Sequence, residues 1–159
     1  MAHKLDLETP NDLEIHLVRR FDAPQRLVFE ALTRPDLVRR WLLGPEGWSM
    51  PVCEIDLRIG GAYHYRWRND ASGQAFGFIG EYKEIEPFGR IVNTERPDDQ
   101  AEGDSLVINL IEAESAGTRL TLIQRFADRA TRDMVLATGM AGGVARSYER
   151  LDEVLAQPA

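Results

Sequence analysis

The segment from residue 128 to residue 155 constrains the fold most, because it predicts the longest regular element of the chain. Its apolar residues recur in steps of three and four, the spacing of one helix face; they are Met140, Val144, Tyr148, Leu151 and Leu155. Asp128 or Thr131 can cap the start of this helix. A long amphipathic helix needs an extended apolar surface to lie on, so the rest of the chain should provide one.

Three glycines interrupt this helical pattern, at positions 139, 142 and 143. A glycine inside a helix costs roughly 1 kcal/mol relative to alanine. The segment therefore predicts either a break in the helix or a close approach of another part of the molecule to its backbone.

Most of the chain before this helix predicts strands joined by short turns. Residues 13–21 alternate as a strand, and residues 25–33 and 35–43 predict two short helices, the first capped by Asp22. Six further strands are predicted at residues 52–57, 62–68, 74–85, 90–95, 106–112 and 118–126. Short connections favour an antiparallel meander. The prediction is an α+β fold, with a bent sheet of about six to seven strands that holds the long helix on its concave face.

Size and charge limit the classes of protein to which the chain can belong. Its 159 residues suit one domain over residues 1–159, with residues 1–12 as a flexible tail or a short edge strand. The net charge of −7, without a basic face, argues against nucleic-acid binding. The single cysteine fits a reducing compartment. Without a signal peptide or an apolar run long enough to span a membrane, the sequence predicts a cytoplasmic protein.

Aromatic residues concentrate on or near one predicted face of the sheet. The candidates for a shared apolar space are Trp41, Trp48, Tyr63, Tyr65, Trp67, Phe76, Phe78 and Phe126. An ordinary core explains them as well as a ligand cavity does. Gly80 lies in phase with Phe76 and Phe78, and a glycine inside a strand often marks a close backbone approach. This glycine favours the cavity.

Three amide side chains accompany the aromatic face. Gln124 lies in phase with Leu120 and Leu122 and should face inward. Asn93 and Asn109 on neighbouring strands either join it or face solvent. A buried amide without a partner costs on the order of 1–3 kcal/mol. An inward cluster would therefore need mutual hydrogen bonds, water or a polar group of a ligand.

No catalytic or metal site is predicted. The three histidines are scattered, and Cys53 has no basic neighbour in sequence that would lower its pKa. One cysteine and dispersed histidines do not provide a zinc-binding spacing. A phosphate-binding glycine loop is also missing from the sequence. We therefore expect no cofactor and no metal.

Several motifs resemble, in their order, the SRPBCC (START-like) superfamily. They include residues 18–24 (VRRFDAP), Trp41 followed by Gly44 and Pro45, residues 53–58 (CEIDLR) followed by two glycines, and residues 117–122 (GTRLTL). The resemblance covers roughly residues 13–156 and is to a branch related to the C-terminal domain of the activator of heat-shock protein 90 ATPase. It implies a helix-grip fold, in which a curved antiparallel sheet grips a long C-terminal helix over a hydrophobic cavity.

The chain departs from this branch at residues that would shape the cavity. Val144 stands where the branch usually has tryptophan, which implies a larger cavity. Asn93 and Asn109 replace residues that are often larger and apolar, which implies a more polar inner end. In a helix-grip fold, Gly142 and Gly143 would be places where the helix approaches the sheet or a ligand. We therefore predict one continuous helix through them.

These features predict a non-enzymatic domain that binds a small hydrophobic or amphipathic molecule, with lipids among the candidates. The predicted lining is Trp41, Tyr63, Tyr65, Trp67, Phe76, Phe78, Asn93, Asn109, Gln124, Met140 and Val144. One alternative is a cyclase- or dehydratase-type enzyme that uses Glu95, a tyrosine hydroxyl or His64. Another is a co-chaperone-like regulator that acts through its surface. A chaperone partner is less favoured because the N-terminal domain of eukaryotic activators is missing, and a homodimer stays open.

Overall fold

The computed structural model describes residues 3–157 and confirms the α+β fold, with an antiparallel sheet and a C-terminal helix. The elements are β1 Asp6–Glu8, β2 Glu14–Phe21, α1 Gln25–Thr33, α2 Pro35–Trp41, β3 Trp48–Ile55, β4 Ala62–Asn69, β5 Ala75–Glu86, β6 Arg90–Pro97, β7 Ser105–Glu114, β8 Gly117–Arg125, α3 Arg129–Ala137 and α4 Met140–Leu155.

The eight strands form one sheet in the order β1-β2-β8-β7-β6-β5-β4-β3. Strands β3 to β8 are the predicted meander, and β2 joins it by pairing with β8. The sheet has one strand more than predicted because β1 pairs with β2 at the edge. One extra residue interrupts the register of β3, and another that of β5. Bulges of this type bend a strand, so they help the sheet to curve around α4.

Helix α4 packs against the sheet and against α1 and α2. Its residues Tyr148 and Leu151 enter a buried cluster with Phe21, Trp41 and Leu120. The rings of Phe21 and Tyr148 meet edge to face, with centroids 5.3 Å apart. The apolar stripe of the sequence therefore faces the core at these positions, as predicted.

A buried ion pair joins β2 to α4. The Arg19 guanidinium donates two hydrogen bonds to the Asp152 carboxylate, of 2.9 and 2.6 Å. It also donates to the Arg20 carbonyl oxygen at 2.7 Å and lies over the Phe21 ring. The Arg19 side chain is only 2% exposed, whereas that of Asp152 is 29% exposed. The sheet and the C-terminal helix are thus linked by a charge pair as well as by apolar contacts.

The prediction of one continuous C-terminal helix is wrong at Gly139. Helix α3 ends at Ala137, and Gly139 has φ 75°, the left-handed conformation in which glycine commonly ends a helix. Helix α4 then starts at Met140 and continues through Gly142 and Gly143. No helix among residues 3–157 is both long enough and apolar enough to cross a membrane.

The glycines differ in how closely their surroundings approach. A Cβ atom on Gly80 would lie 1.9 Å from the Thr94 carbonyl oxygen and 2.5 Å from the Tyr63 ring, so the predicted close approach is confirmed there. Gly142 has open space around it, and Gly143 faces Pro45 at an ordinary 3.5 Å. The prediction that these two glycines approach the sheet is therefore wrong, because they face away from it.

Only one of the two predicted helix caps is confirmed. The Asp128 carboxylate accepts a hydrogen bond of 2.7 Å from the Thr131 backbone N–H at the start of α3. Asp22 does not cap α1, because the chain stays extended until Pro24. Its carboxylate lies 2.9 Å from the His3 ring nitrogen instead. The second short helix ends at Trp41, two residues earlier than predicted.

Candidate functional site

A cavity of about 150 Å³ lies between the curved sheet and the helices α1, α2 and α4. The helices contribute Leu32, Val38, Trp41, Val144, Ser147 and Tyr148, and Leu42 follows α2. The sheet contributes Tyr63, Tyr65, Tyr82, Ile91, Asn93, Glu95, Val107, Asn109 and Leu122. The wall is mostly apolar and carries few polar groups, which is the usual composition of a small-molecule site.

Aromatic rings form two parts of this wall. On the sheet, the Tyr63 ring lies 4.9 Å from that of Tyr65 and 5.6 Å from that of Tyr82, centroid to centroid. On the helices, the rings of Trp41 and Tyr148 lie 5.9 Å apart. The Trp41 indole N–H donates a 2.8 Å hydrogen bond to the Ala31 carbonyl oxygen, which holds the ring in place.

A hydrogen-bonded group occupies the polar part of the cavity wall. The Tyr63 hydroxyl donates to the Thr94 carbonyl oxygen at 2.6 Å. The Asn93 amide donates to the Tyr63 oxygen at 3.0 Å and to the Thr94 carbonyl oxygen at 3.1 Å. Burial raises the pKa of Tyr63 well above its ordinary value, so this hydroxyl stays neutral. These hydrogen bonds hold the Tyr63 and Asn93 side chains in place at the cavity wall.

Glu95 brings a carboxyl group to the same wall. Its Oε2 accepts a 2.9 Å hydrogen bond from the Gln124 amide. Burial raises the pKa of Glu95 to about 7, and the hydrogen bond from Gln124 lowers it in part. Over residues 3–157, no basic side chain forms an ion pair with Glu95. This carboxyl group can therefore change its charge near neutral pH.

The alternation of the strands brings Asn93 and Asn109 to the cavity wall rather than to solvent, which settles the alternative left open by the sequence. Among the described residues, the Asn109 side-chain amide has no hydrogen-bond partner. Its donor and acceptor groups are available to a guest. Gln124 faces inward as predicted, but it lies behind Glu95 and not on the wall itself.

The structure places five more of the predicted lining residues at the cavity: Trp41, Tyr63, Tyr65 and Val144 lie on its wall, and Gln124 supports it through Glu95. Trp67, Phe76 and Phe78 do not line it, contrary to the prediction. Trp67 and Phe78 pack in a neighbouring cluster with Trp48 and Met50, and the Trp67 ring stacks on the 44% exposed Phe76 at 5.2 Å. The strands β4 and β5 extend beyond the cavity, so residues of the inward face continue past its end.

Met140 also lies elsewhere. It is the first residue of α4 and packs with Ile15, Leu17 and Phe126. The prediction assumed a helix that was already formed upstream of residue 140. Met140 lies one helical turn before Val144 in α4, at a point where the helix packs on β2 and no longer borders the cavity.

Ten wall residues were not among the predicted lining, and for three of the aromatic and polar ones the sequence carried a signal. Tyr82 lies in phase with Gly80 on β5, and Tyr148 belongs to the apolar stripe of α4. From the sequence, we considered Glu95 only as a possible acid or base. By the alternation of β6, however, Glu95 lies on the same face of the strand as Ile91 and Asn93. Period-two alternation would have found Tyr82 and Glu95, and the helical stripe would have found Tyr148.

A curved antiparallel sheet that holds a C-terminal helix over a largely apolar cavity defines the helix-grip class of domains. The family model described as Activator of Hsp90 ATPase homolog 1-like protein matches residues 22–156, so the chain belongs to this family of the SRPBCC superfamily.

Solved structures of similar proteins share this fold. A protein from Rhodobacter sphaeroides is 27% identical, with a TM-score of 0.88 over 96% of this chain and 98% of that chain. A protein from Chromobacterium violaceum is 30% identical, with a TM-score of 0.78 over 93% and 100% of the two chains. An AHSA1-like protein from Aeromonas hydrophila is 18% identical and has a TM-score of 0.75 over 92% and 98%. No curated protein matches the sequence.

Proposed function

We propose that this protein binds a small apolar or amphipathic molecule, about the size of a single ring, in the cavity between the sheet and α4. The observation that supports the proposal is the cavity itself. Its wall consists mostly of aromatic and aliphatic side chains and includes a few polar side chains. An apolar cavity of roughly 150 Å³ accommodates benzene, whereas sites for drug-sized ligands run from about 300 Å³ upward. A single ring therefore fits this cavity better than a lipid chain does.

The affinity would come from burial of the guest's apolar surface. An aromatic ring system buries about 150–250 Å², which at about 25 cal/mol per Å² contributes roughly 4–6 kcal/mol before the entropy loss of binding. A neutral one-ring guest should therefore bind weakly. Hydrogen bonds to Asn109 or Glu95 would add affinity and orient its polar end.

Filling the cavity from the protein side tests this proposal. We expect Val144→Trp to place an indole in the space, to raise the free energy of unfolding by about 1 kcal/mol, and thus to raise the melting temperature by about 2–4 °C. It should weaken the binding of benzyl alcohol by about tenfold or more. Thermal unfolding and ligand-observed NMR measure the two effects.

The matched control is Met134→Trp, which adds the same indole on α3 at a side chain that is 68% exposed and outside the cavity. This variant should bind benzyl alcohol as the wild type does. Equal affinities in all three proteins would remove Val144 from the binding site. If no one-ring probe, neutral or charged, binds the wild type, the proposed function is wrong.

A second candidate, an enzyme of the cyclase or dehydratase type, is favoured by one observation: the Glu95 carboxyl group lies at the cavity wall, with a pKa raised to about 7 by burial. Such a group can take a proton from a carbon next to a carbonyl group and return it. We expect the wild type to accelerate hydrogen–deuterium exchange at the α-carbon of cyclohexanone about 100-fold or more over Glu95→Gln. NMR follows this exchange, and equal rates in the two proteins would reject the enzyme.

A further inference from the structure

The cavity combines one carboxyl group with several aromatic rings and no basic side chain. Among the wall residues that the structure describes, Glu95 is the only one with an acidic side chain, and none has a basic side chain. Its Oε2 accepts a hydrogen bond from Gln124, and Oε1 has no partner within residues 3–157. Glu95 is half-buried, and taking a carboxylate even partly out of water without a compensating charge is costly. A guest that brings a positive charge would remove this cost.

The aromatic rings suit the same kind of guest. Tyr63, Tyr65 and Tyr82 lie on the sheet side, and Trp41 and Tyr148 lie on the helix side. The faces of such rings carry negative potential and attract cations that have been removed from water. The rings also accept the apolar body of an organic molecule. None of the wall residues is a lysine, an arginine or a histidine, so no positive side chain on the wall repels a cationic guest.

This inference rests on the proposed binding function. We propose that the cavity selects a small organic ammonium ion, namely a protonated one-ring primary amine. Its N–H groups would donate to the Glu95 carboxylate, and its ring would pack against the tyrosine and tryptophan rings of the wall. A neutral guest would leave the Glu95 carboxylate without a counter-charge, and an anionic guest would be repelled by this carboxylate. The net charge of −7 also favours the approach of a cation.

Binding of such a cation should depend on pH through Glu95. Tyr63 on β4, Ser105 on β7 and Gln124 on β8 lie next to Glu95, and the other titratable groups on the cavity wall are Tyr65 on β4, Tyr82 on β5 and Tyr148 on α4. Burial raises the pKa of each of these tyrosines, that of Tyr82 to about 12, so they stay neutral. The nearby Asp104 is paired with Arg96 at 3.3 Å.

The sign of the pH effect follows from the charge of Glu95. Burial raises its pKa to about 7, so the group is mostly neutral below this pH and mostly ionised above it. An ammonium ion binds the ionised form, so its affinity should rise with pH through about 7 and then level off while the amine remains protonated. The affinity of a neutral guest should change little over this range, or fall slightly.

The experiment compares guests of nearly equal shape and different charge. The probes are benzylamine, benzyl alcohol and benzoate, and their affinities for the full chain are measured by ligand-observed NMR and calorimetry. At about pH 8 we expect benzylamine to bind about tenfold or more tightly than benzyl alcohol, and benzoate to bind most weakly. At about pH 6 the benzylamine affinity should fall by roughly tenfold, whereas that of benzyl alcohol should stay.

The variant Glu95→Gln, which nearly keeps the shape of the side chain, should remove both the preference for benzylamine over benzyl alcohol and its dependence on pH. Glu112→Gln is the control, because it removes an exposed carboxylate that is paired with Arg119 on the protein surface. Far-UV circular dichroism confirms that each variant folds, and the pH series on the wild type tests the proposal without any variant.

The two proposals fail in different ways. If benzyl alcohol binds but benzylamine binds no more tightly, or if Glu95→Gln keeps the preference, the ammonium proposal is overturned and the proposed function stands. If none of the three probes binds the wild type at either pH, both proposals are overturned.

Discussion

Asp152→Ala is expected to lower the free energy of unfolding by about 3–5 kcal/mol, the range for breaking a buried ion pair. The Arg19 guanidinium would remain buried, with only the Arg20 carbonyl oxygen as a hydrogen-bond acceptor and the Phe21 ring beside it. The remaining exposure of Asp152 lets water reach the vacated place, so we expect the lower end of this range. Urea unfolding followed by circular dichroism measures the change.

Two controls separate the buried charge from ordinary loss of contacts. Glu81→Ala breaks an ion pair with Lys83 in which both side chains are 48% exposed, and it should change stability by about 1 kcal/mol or less. The double variant Arg19→Met with Asp152→Leu removes both charges and should recover most of the lost stability, because no charge is then left buried. A double variant as unstable as Asp152→Ala would contradict this explanation.

Gly80→Ala is expected to lower the free energy of unfolding by about 3 kcal/mol, at the upper end of the usual overpacking cost. The added Cβ would lie 1.9 Å from the Thr94 carbonyl oxygen, a backbone atom that cannot move freely. It would also press on the Tyr63 ring, whose hydroxyl bonds that same oxygen. The change should therefore disturb Asn93 and the polar part of the cavity, as well as the pairing of β4 with β5.

The matched control for this substitution is Gly142→Ala. No atom lies within 4 Å of a Cβ placed there, and the residue is helical. Alanine should therefore raise the free energy of unfolding by up to about 1 kcal/mol. Urea unfolding gives both values, and near-UV circular dichroism reports the tyrosine environment. Similar stabilities for the two alanine variants would show that the space around Gly80 is not restrictive.

The sequence predicted the element order well because its signals are local. Alternation on β4 placed Tyr63 and Tyr65 on one face, and the helical spacing of Tyr148 and Leu151 placed them toward the core, as the structure confirms. The bounds of α1, Gln25–Thr33, were also predicted from the sequence. These inferences need only the direction in which each side chain leaves its own backbone.

The candidate site was predicted less completely. Alternation identifies a face of the sheet but not the point along a strand at which the cavity ends. Trp67 therefore shares its face with Tyr63 and Tyr65, yet it packs in another cluster and donates a 2.7 Å hydrogen bond to the Leu42 carbonyl oxygen. The sequence alone offered no signal that would separate Trp67 from the two tyrosines.

The sequence by itself determined the α+β meander, the inward faces of its strands and helix, and the family to which the chain is similar, because side-chain periodicity and turn residues act over a few positions. Only the tertiary structure decided the break at Gly139, the pairing of Arg19 with Asp152 and the placing of Glu95 beside the aromatic rings. Arg19 and Asp152 are far apart in sequence, and Glu95 comes close to Tyr63 on β4 and Gln124 on β8 only in the folded chain. The volume of the cavity likewise depends on the separation of elements that meet only in the folded chain.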